Sequence, residues 1–214
     1  MKATLQEIQN GKIIAIIREV PSEVIVDVAK ALVAGGIRMM EITFDQKSRE
    51  GIQNTLESMN LLDAEMHDEI YLGAGTVLTT EQVELAYEHG AGYIISTNVD
   101  LDVIKRTKEL GMISMPGALT PTETVTAFRG GADIVKLFPA GVWGVDYIKA
   151  VRAPLSHIPV SAVGGVNAAN IASFFRAGVC CVGVGNNLVS RSCAVNKEFE
   201  AITRTAWEMR TQLA

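Results

Sequence analysis

The stretch Ala31-Leu-Val-Ala-Gly-Gly-Ile-Arg-Met-Met-Glu-Ile42 decides the fold, because it joins a helix to an apolar strand through glycine. Glycine is the preferred residue for the left-handed turn that ends a helix. The run that follows is apolar on both faces, as are strands buried in a parallel sheet. The same order of helix, glycine and apolar run returns at residues 86–95, 108–115, 128–137 and 174–183.

The spacing of these units predicts the number of strands. Two gaps between the glycines are about twice as long as the others, so each holds one further helix and strand. The pattern predicts eight strands, near residues 12–17, 37–43, 70–74, 92–96, 111–115, 133–137, 158–163 and 179–184, and a last helix over 196–211. Strands that alternate with helices form a parallel sheet, and eight such units favour a closed (β/α)₈ TIM barrel. An open doubly wound sheet is the alternative, and residues 1–214 are expected to form a single domain.

Composition and charge exclude several classes of protein. The chain has 214 residues, of which 48% are hydrophobic and 20% charged, and its net charge is −5. This charge gives no general attraction to nucleic acid or to an anionic membrane, so we expect neither as a partner. The first residues lack the apolar core of a secretion signal, and the cysteines Cys180, Cys181 and Cys193 give no paired framework, so a cytoplasmic location is expected.

In a barrel of this kind, chemistry belongs at the carboxyl ends of the strands. Asp133-Ile-Val-Lys-Leu-Phe-Pro-Ala140 places Lys136 inside an apolar strand, where burial disfavours the charged amine. A neutral amine can attack a ketone and form an imine. The alternative is a lysine of an edge strand whose side chain reaches solvent.

Glu41 is a second polar residue in an apolar strand, and Thr43 lies on the same face two residues further on. A carboxylate that faces the same interior as Lys136 could move protons during imine chemistry. The alternative is an ion pair that only neutralises two buried charges. Arg18 ends the first strand and is either an anion clamp or a solvated strand-end residue.

Glycine-rich segments end three of the predicted strands. Thr76 follows the third strand and offers a hydroxyl at the barrel mouth. Gly164 and Gly165 follow the seventh and lead straight into a helix, while Gly185 and Asn186 follow the eighth. Loops after strands seven and eight often bind phosphate in such barrels, through backbone N–H groups and a helix N-terminus. The alternative is that these glycines only make tight turns.

No metal or nucleotide motif is present. The three histidines are scattered, and none has a partner at the spacing of a metal site. A Walker loop and a GxGxxG fingerprint are both absent. We therefore predict neither a metal nor a cofactor.

Taken together, six motifs resemble those of the class I 2-keto-3-deoxy-6-phosphogluconate (KDPG) and 4-hydroxy-2-oxoglutarate (KHG) aldolases. They are Ala31-Leu-Val-Ala-Gly-Gly, Glu41-Ile-Thr, Gly73-Ala-Gly-Thr-Val, Met115-Pro-Gly-Ala-Leu-Thr-Pro-Thr-Glu, Lys136-Leu-Phe-Pro-Ala and Gly164-Gly-Val. The resemblance implies a homotrimer of barrels, with Lys136 as the imine-forming residue and Glu41 as the general acid/base. It also implies substrate contacts by Arg18, Thr76, Pro116 and Phe138, and a phosphate site at Gly164, Gly165, Gly185 and Asn186.

Three positions depart from the pattern of this family. Asp45 stands where well-known members have arginine, Val163 where many have threonine, and Thr97 where a proline is often found. Lys136 and Glu41 are retained, so the resemblance still implies imine chemistry. The departures leave open the aldehyde half of the substrate and whether it is phosphorylated.

The function implied is cleavage of a 2-keto-4-hydroxy acid, such as KDPG or 4-hydroxy-2-oxoglutarate, by a carbon–carbon lyase. The products would be pyruvate or glyoxylate together with an aldehyde or pyruvate. Two alternatives remain: a sugar-phosphate epimerase or isomerase that uses the same phosphate loops, and a non-catalytic relative that binds a phosphorylated metabolite.

Overall fold

The fold is a parallel barrel surrounded by helices, as seen in a computed structural model that describes residues 3–213. The sheet has 9 strands in the order β5-β4-β3-β2-β1-β9-β8-β7-β6. All pairings along this order are parallel. The strands are β1 (Ile13–Ile17), β2 (Met39–Thr43), β3 (Tyr71–Gly75), β4 (Tyr93–Ile95), β5 (Ile113–Met115), β6 (Gly117–Ala118), β7 (Val135–Leu137), β8 (Val160–Val163) and β9 (Cys181–Val184).

The two outermost strands of this order belong to one stretch of chain, interrupted at Pro116. β5 pairs with β4 on one side, and β6 pairs with β7 on the other. Proline has no N–H group to continue the ladder, but the Pro116 carbonyl accepts a hydrogen bond from the Lys136 backbone at 2.8 Å. Residues 113–118 therefore close the sheet on itself. The predicted barrel is confirmed, and its fifth strand is split in two.

Helices follow the strands and pack around the barrel. Those between and after the strands are α2 (Ile25–Ala34), α3 (Arg49–Met66), α4 (Thr80–Glu88), α5 (Leu101–Glu109), α6 (Pro121–Arg129), α7 (Ala140–Arg152), α8 (Ile171–Arg176), α9 (Arg191–Val195) and α10 (Phe199–Thr211). A short 3₁₀ helix over Ser22–Val24 precedes α2. The predicted last helix is confirmed as α10, which begins three residues later than expected.

A further helix, α1 (Leu5–Gly11), precedes the barrel and was not expected from the sequence. Thr4 caps α1 in a capping box with Glu7, and each side chain bonds the other residue's backbone N–H. Ile8 is fully buried and joins the cluster of side chains that fills the barrel interior. The Tyr71 hydroxyl donates a 2.5 Å hydrogen bond to Glu7, so α1 covers the amino ends of the strands.

The core has two layers. Outside the barrel, strand residues pack against the surrounding helices in one continuous cluster. Inside it, a smaller cluster fills the half toward the amino ends of the strands, here called the lower end. The polar residues predicted for the site lie toward the carboxyl ends, here called the upper end. Within residues 3–213, no helix is long and apolar enough to cross a membrane.

Candidate active site

β7 carries Lys136 into the barrel interior, where only 4% of its surface is exposed. Its ladder neighbours are Gly117 on β6 and Ser161 on β8, which add little bulk around the side chain. The Nζ atom lies 5.3 Å from the centre of the Phe138 ring. Burial lowers the Lys136 pKa; the nearby Glu41 carboxylate acts in the opposite direction, and the Arg18 cation lowers the pKa further. The net effect is a lowered Lys136 pKa, which is a shift toward the neutral amine that nucleophilic attack requires.

β2 brings Glu41 to the same interior face, and it is 1% exposed. A Cβ at Gly75 would lie 1.5 Å from Glu41 Oε1, so the carboxyl group occupies space that only glycine leaves free. Its other oxygen, Oε2, is buried without a hydrogen-bond partner. Burial raises the Glu41 pKa, while Lys136 and Arg18 lower it less strongly.

Lys136 and Glu41 influence each other's pKa, yet their side chains form no ion pair among the described residues. A simple neutralising ion pair therefore does not describe these two groups. A space between a nucleophilic amine and a proton-carrying carboxyl group is what a reacting carbonyl compound would need.

Both side chains line a cavity of about 530 Å³ at the upper end of the barrel. Its walls come from β1, β2, β7, β8, β9 and the end of β4. The cavity brings together most of the residues predicted from sequence, namely Arg18, Glu41, Lys136, Phe138, Gly164, Gly165, Gly185 and Asn186. Phe138 is 39% exposed, so its ring forms part of the rim.

Two predicted residues occupy other positions. Thr76 lies at the edge of the site, in an adjoining cleft of about 130 Å³ that Arg18 also lines. The Thr76 hydroxyl accepts a 3.3 Å hydrogen bond from Arg18 Nη2, and its backbone has a φ of 55°, a left-handed conformation unusual for threonine. Pro116 is buried beside Lys136 and contacts it through the backbone, outside the lining of the main cavity.

The turns after β8 and β9 face the cavity with unpaired donors. The backbone N–H groups of Gly165 and Val166, and those of Asn186 and Asn187, donate no hydrogen bond within residues 3–213. Gly165 has a φ of 77°, the left-handed conformation that glycine adopts without strain. Successive free N–H groups on the wall of a cavity are a common way to hold an anion.

The expected contribution of a helix N-terminus at the seventh strand is wrong. α8 begins only at Ile171, after a turn over Asn167–Asn170, and it has 6 residues. Asn167 and Asn170 bond each other and the backbone within this turn. Any anion at this wall would therefore be held by the turn N–H groups and not by a helix dipole.

Sequence reasoning missed several residues that line the cavity, and Thr97 and Asn187 are the polar ones among them. Ile16 and Val163 add apolar wall, and Asn187 adds a side chain whose amide bonds the Val166 carbonyl at 2.8 Å. The signal for Thr97 was its place directly after a predicted strand. It was noted only as a departure from the family pattern.

Asp45 lies outside the main cavity, although it interrupts the family pattern. Its Oδ1 accepts a 2.9 Å hydrogen bond from the Lys47 backbone and so holds its own turn together. It lines the adjoining clefts beside Arg18 and Glu19. Asp45 therefore does not line the cavity that holds Lys136.

The chemistry at hand is that of an amine, a carboxyl group and backbone donors. Residues 3–213 contain no group of 3 or more His, Cys, Asp or Glu side chains that could hold a metal ion.

Comparison with known proteins gives a consistent result. The family model described as KDPG and KHG aldolase matches residues 5–205. The 2-dehydro-3-deoxy-6-phosphogalactonate aldolase of Escherichia coli (strain K12) is 35% identical over 187 residues, covering 86% of this chain and 88% of the relative. The KHG/KDPG aldolase of the same strain is 30% identical over 200 residues, covering 92% of this chain and 90% of the relative. A solved structure described as native KDPGal aligns with a TM-score of 0.84 and 32% identity, covering 94% of this chain and 93% of that one.

Proposed function

The chain belongs to the KDPG and KHG aldolase family and is a carbon–carbon lyase, and from this premise we propose that Lys136 and Glu41 carry out its chemistry. The observation that carries the proposal is the juxtaposition of a buried lysine and a buried, unbonded carboxyl group at one cavity. Burial disfavours the charged form of each group, which promotes a nucleophilic amine on Lys136 and a proton-carrying carboxyl group on Glu41.

The reaction begins when the neutral Lys136 amine attacks the C2 ketone of a 2-keto-4-hydroxy acid. The resulting carbinolamine loses its hydroxyl as water, with a proton from the Glu41 carboxyl group, and becomes a protonated imine. The Glu41 carboxylate then takes the C4 hydroxyl proton. The C3–C4 electron pair moves into the imine, an aldehyde leaves, and an enamine of pyruvate remains. Glu41 returns the proton to C3, and water hydrolyses the imine to release pyruvate. The imine acts as electron sink, so the chain itself supplies the chemistry without a cofactor.

We further propose that the substrate is a phosphorylated 2-keto-3-deoxy sugar acid. The unpaired N–H groups of Gly165, Val166, Asn186 and Asn187 support a phosphate subsite on the wall formed by the β8 and β9 turns. The identity of 35% to a 2-dehydro-3-deoxy-6-phosphogalactonate aldolase, against 30% to a KHG/KDPG aldolase, favours the galactonate-derived compound as first candidate.

Trapping by borohydride tests the imine. Pyruvate and borohydride should add a reduced pyruvate adduct to wild-type protein, and peptide mapping should place it on Lys136. Lys136→Met should remove both the adduct and aldol cleavage, with a loss on the order of 10³-fold or more. Lys149→Met, which changes an exposed lysine on α7, is the matched control and should keep both. An adduct on another lysine, or full activity of Lys136→Met, would refute the mechanism.

A substrate panel tests the second proposal. Cleavage of 2-keto-3-deoxy-6-phosphogalactonate, its gluconate epimer, the unphosphorylated acids and 4-hydroxy-2-oxoglutarate is followed by coupled detection of pyruvate. We expect the highest kcat/KM for a phosphorylated acid and the largest loss, through KM, when the phosphate is removed. Equal kcat/KM with and without phosphate would rule out the proposed subsite.

We also propose that the chain acts as one domain and as a homotrimer in the cytoplasm. Family membership supports the trimer, and one barrel that takes in the strands from Ile13 to Val184 supports the single domain. Sedimentation equilibrium of the purified protein tests the trimer directly.

A further inference from the structure

Thr97 is a polar residue on the cavity wall to which the mechanism above gives no task. It lies two residues beyond Ile95, the last residue of β4. Tyr93 and Ile95 both point into the barrel interior, and the alternation of a strand directs Thr97 the same way. Thr97 is half-buried and lines the same cavity as Lys136 and Glu41.

The Thr97 hydroxyl is free, unlike those of the other threonines near the site. Thr76 Oγ1 accepts from Arg18, and Thr43 Oγ1 donates to the Ile17 carbonyl at 3.4 Å. Thr97 Oγ1 has no hydrogen-bond partner in the described part of the chain. A hydroxyl on a cavity wall without a protein partner is available to a ligand.

The backbone at Thr97 and at the preceding residue packs against the split strand. The Ser96 N–H donates to the Met115 carbonyl at 3.2 Å. A Cβ at Gly117 would lie 2.5 Å from the Thr97 carbonyl oxygen, so β6 packs directly against this residue. The split strand that closes the barrel thus fixes the backbone that carries the Thr97 side chain.

Thr97 lies across the barrel from the proposed phosphate subsite. β3, β2 and β1 separate β4 from β9 on one side, and the split strand, β7 and β8 separate them on the other. A substrate whose phosphate contacts the β8 and β9 turns and whose ketone reaches Lys136 extends its remaining end toward β4. In a 2-keto acid, that end is the C1 carboxylate.

We propose that the Thr97 hydroxyl donates a hydrogen bond to the C1 carboxylate of the bound 2-keto acid, which makes Thr97 a substrate-binding residue for the pyruvate half. The assignment rests on the proposed function. Arg18, held by Thr76, supplies the positive charge from the opposite edge of the cavity. Because a hydroxyl forms a hydrogen bond of defined direction, Thr97 would orient the carboxylate as well as bind it.

The test compares wild type with Thr97→Val, which keeps the shape and removes the hydroxyl, and with Thr97→Ser, which keeps the hydroxyl. Borohydride trapping is measured as a function of pyruvate concentration. A hydrogen bond to a charged group is worth enough to raise the half-saturating pyruvate concentration of Thr97→Val roughly tenfold or more. Thr97→Ser should stay within about a factor of three of wild type. Matching thermal unfolding curves establish that each variant is folded.

Methyl pyruvate, which has the ketone but no carboxylate charge, gives the second arm. Thr97→Val should weaken its trapping by about threefold or less, because only a neutral acceptor remains. Wild-type affinity of Thr97→Val for pyruvate, or equal weakening toward the acid and the ester, would overturn the role of Thr97 while leaving the imine intact. A wild-type protein that traps no pyruvate on Lys136 would instead overturn the proposed function, and this assignment with it.

Discussion

The lower and upper ends of the barrel are built from the same strands, but the side chains that fill them differ in polarity. On β2, Met39 packs in the lower cluster while Glu41, two residues on, faces the cavity. On the segment that includes β7, Ile134 and Lys136 repeat this relation. Two residues along a strand are therefore enough to pass from close-packed apolar side chains to buried ionisable groups. Burial disfavours the charged forms of those groups. The lower end therefore supplies the rigidity with which the upper end holds its reactive groups.

The largest effect is expected from a cavity made at the lower end. Ile8 is fully buried where α1 covers the barrel, so Ile8→Ala should lower the free energy of unfolding by about 2–5 kcal/mol. Ile8→Val removes one methylene and should cost only about 0.5–1.5 kcal/mol. Urea unfolding measures both. At 25 °C the folded variants should keep wild-type kcat/KM, and a parallel loss of activity would contradict the separation of the two ends.

Two glycines on β3 give a sharper comparison, because one leaves space for a side chain at the upper end of the barrel and the other for a side chain at the lower end. Gly75→Ala would push a methyl group into Glu41 and should reduce kcat by a factor on the order of 10². Gly73→Ala would press on the Tyr93 ring, with a contact of 2.1 Å, and should act mainly on stability. Steady-state kinetics and thermal unfolding of both variants are compared. If the two variants lost the same activity for the same decrease in Tm, Gly75 would have no special relation to Glu41.

The smallest effect is expected from Glu41→Gln on stability, and it should be a gain. Burial raises the Glu41 pKa, so the folded state holds this proton at pH values where the unfolded chain, with a pKa near 4.5, has released it. The proton's stabilising contribution is complete below pH 4.5 and is lost as the pH rises through the folded-state pKa. Above pH 4.5, the free energy of unfolding of Glu41→Gln should therefore exceed that of wild type, by about 1 kcal/mol near neutral pH. The rate of aldol cleavage should fall. Thermal unfolding from pH 4 to 8 checks this, and a difference that shrinks with rising pH would contradict it.

Sequence reasoning located the strands because the helix, glycine and strand order is a local signal. It located Lys136 and Glu41 because a charged residue in an apolar strand stands out against its neighbours. Both signals depend only on residues that are close together in the sequence. The barrel then brings the two groups to one cavity, as expected from the rule that strand ends share one face.

What the sequence did not reveal depends on contacts between distant segments. Thr97 is one polar residue among several in its loop, and only barrel closure turns it toward the cavity. α1 covers the lower end through Ile8, although the spacing of Thr4 and Glu7 did offer a capping-box signal. The sequence suggested a helix directly after β8, but Asn167 and Asn170 bond each other's backbone N–H groups and delay the start of α8.

The barrel wall has a half of long strands and a half of short strands, and the split fifth strand lies within the short half. β1, β2 and β3 have 5 residues each, while β4, β5 and β7 have 3 and β6 has 2. Glu41 belongs to the long half and Lys136 to the short one. Native-state hydrogen exchange should accordingly find the amides around Lys136 opening through local fluctuations before those around Glu41. The proposed catalytic pair would then lie across a boundary between slowly and rapidly exchanging strands, and local opening of the short half would change the space between Lys136 and Glu41.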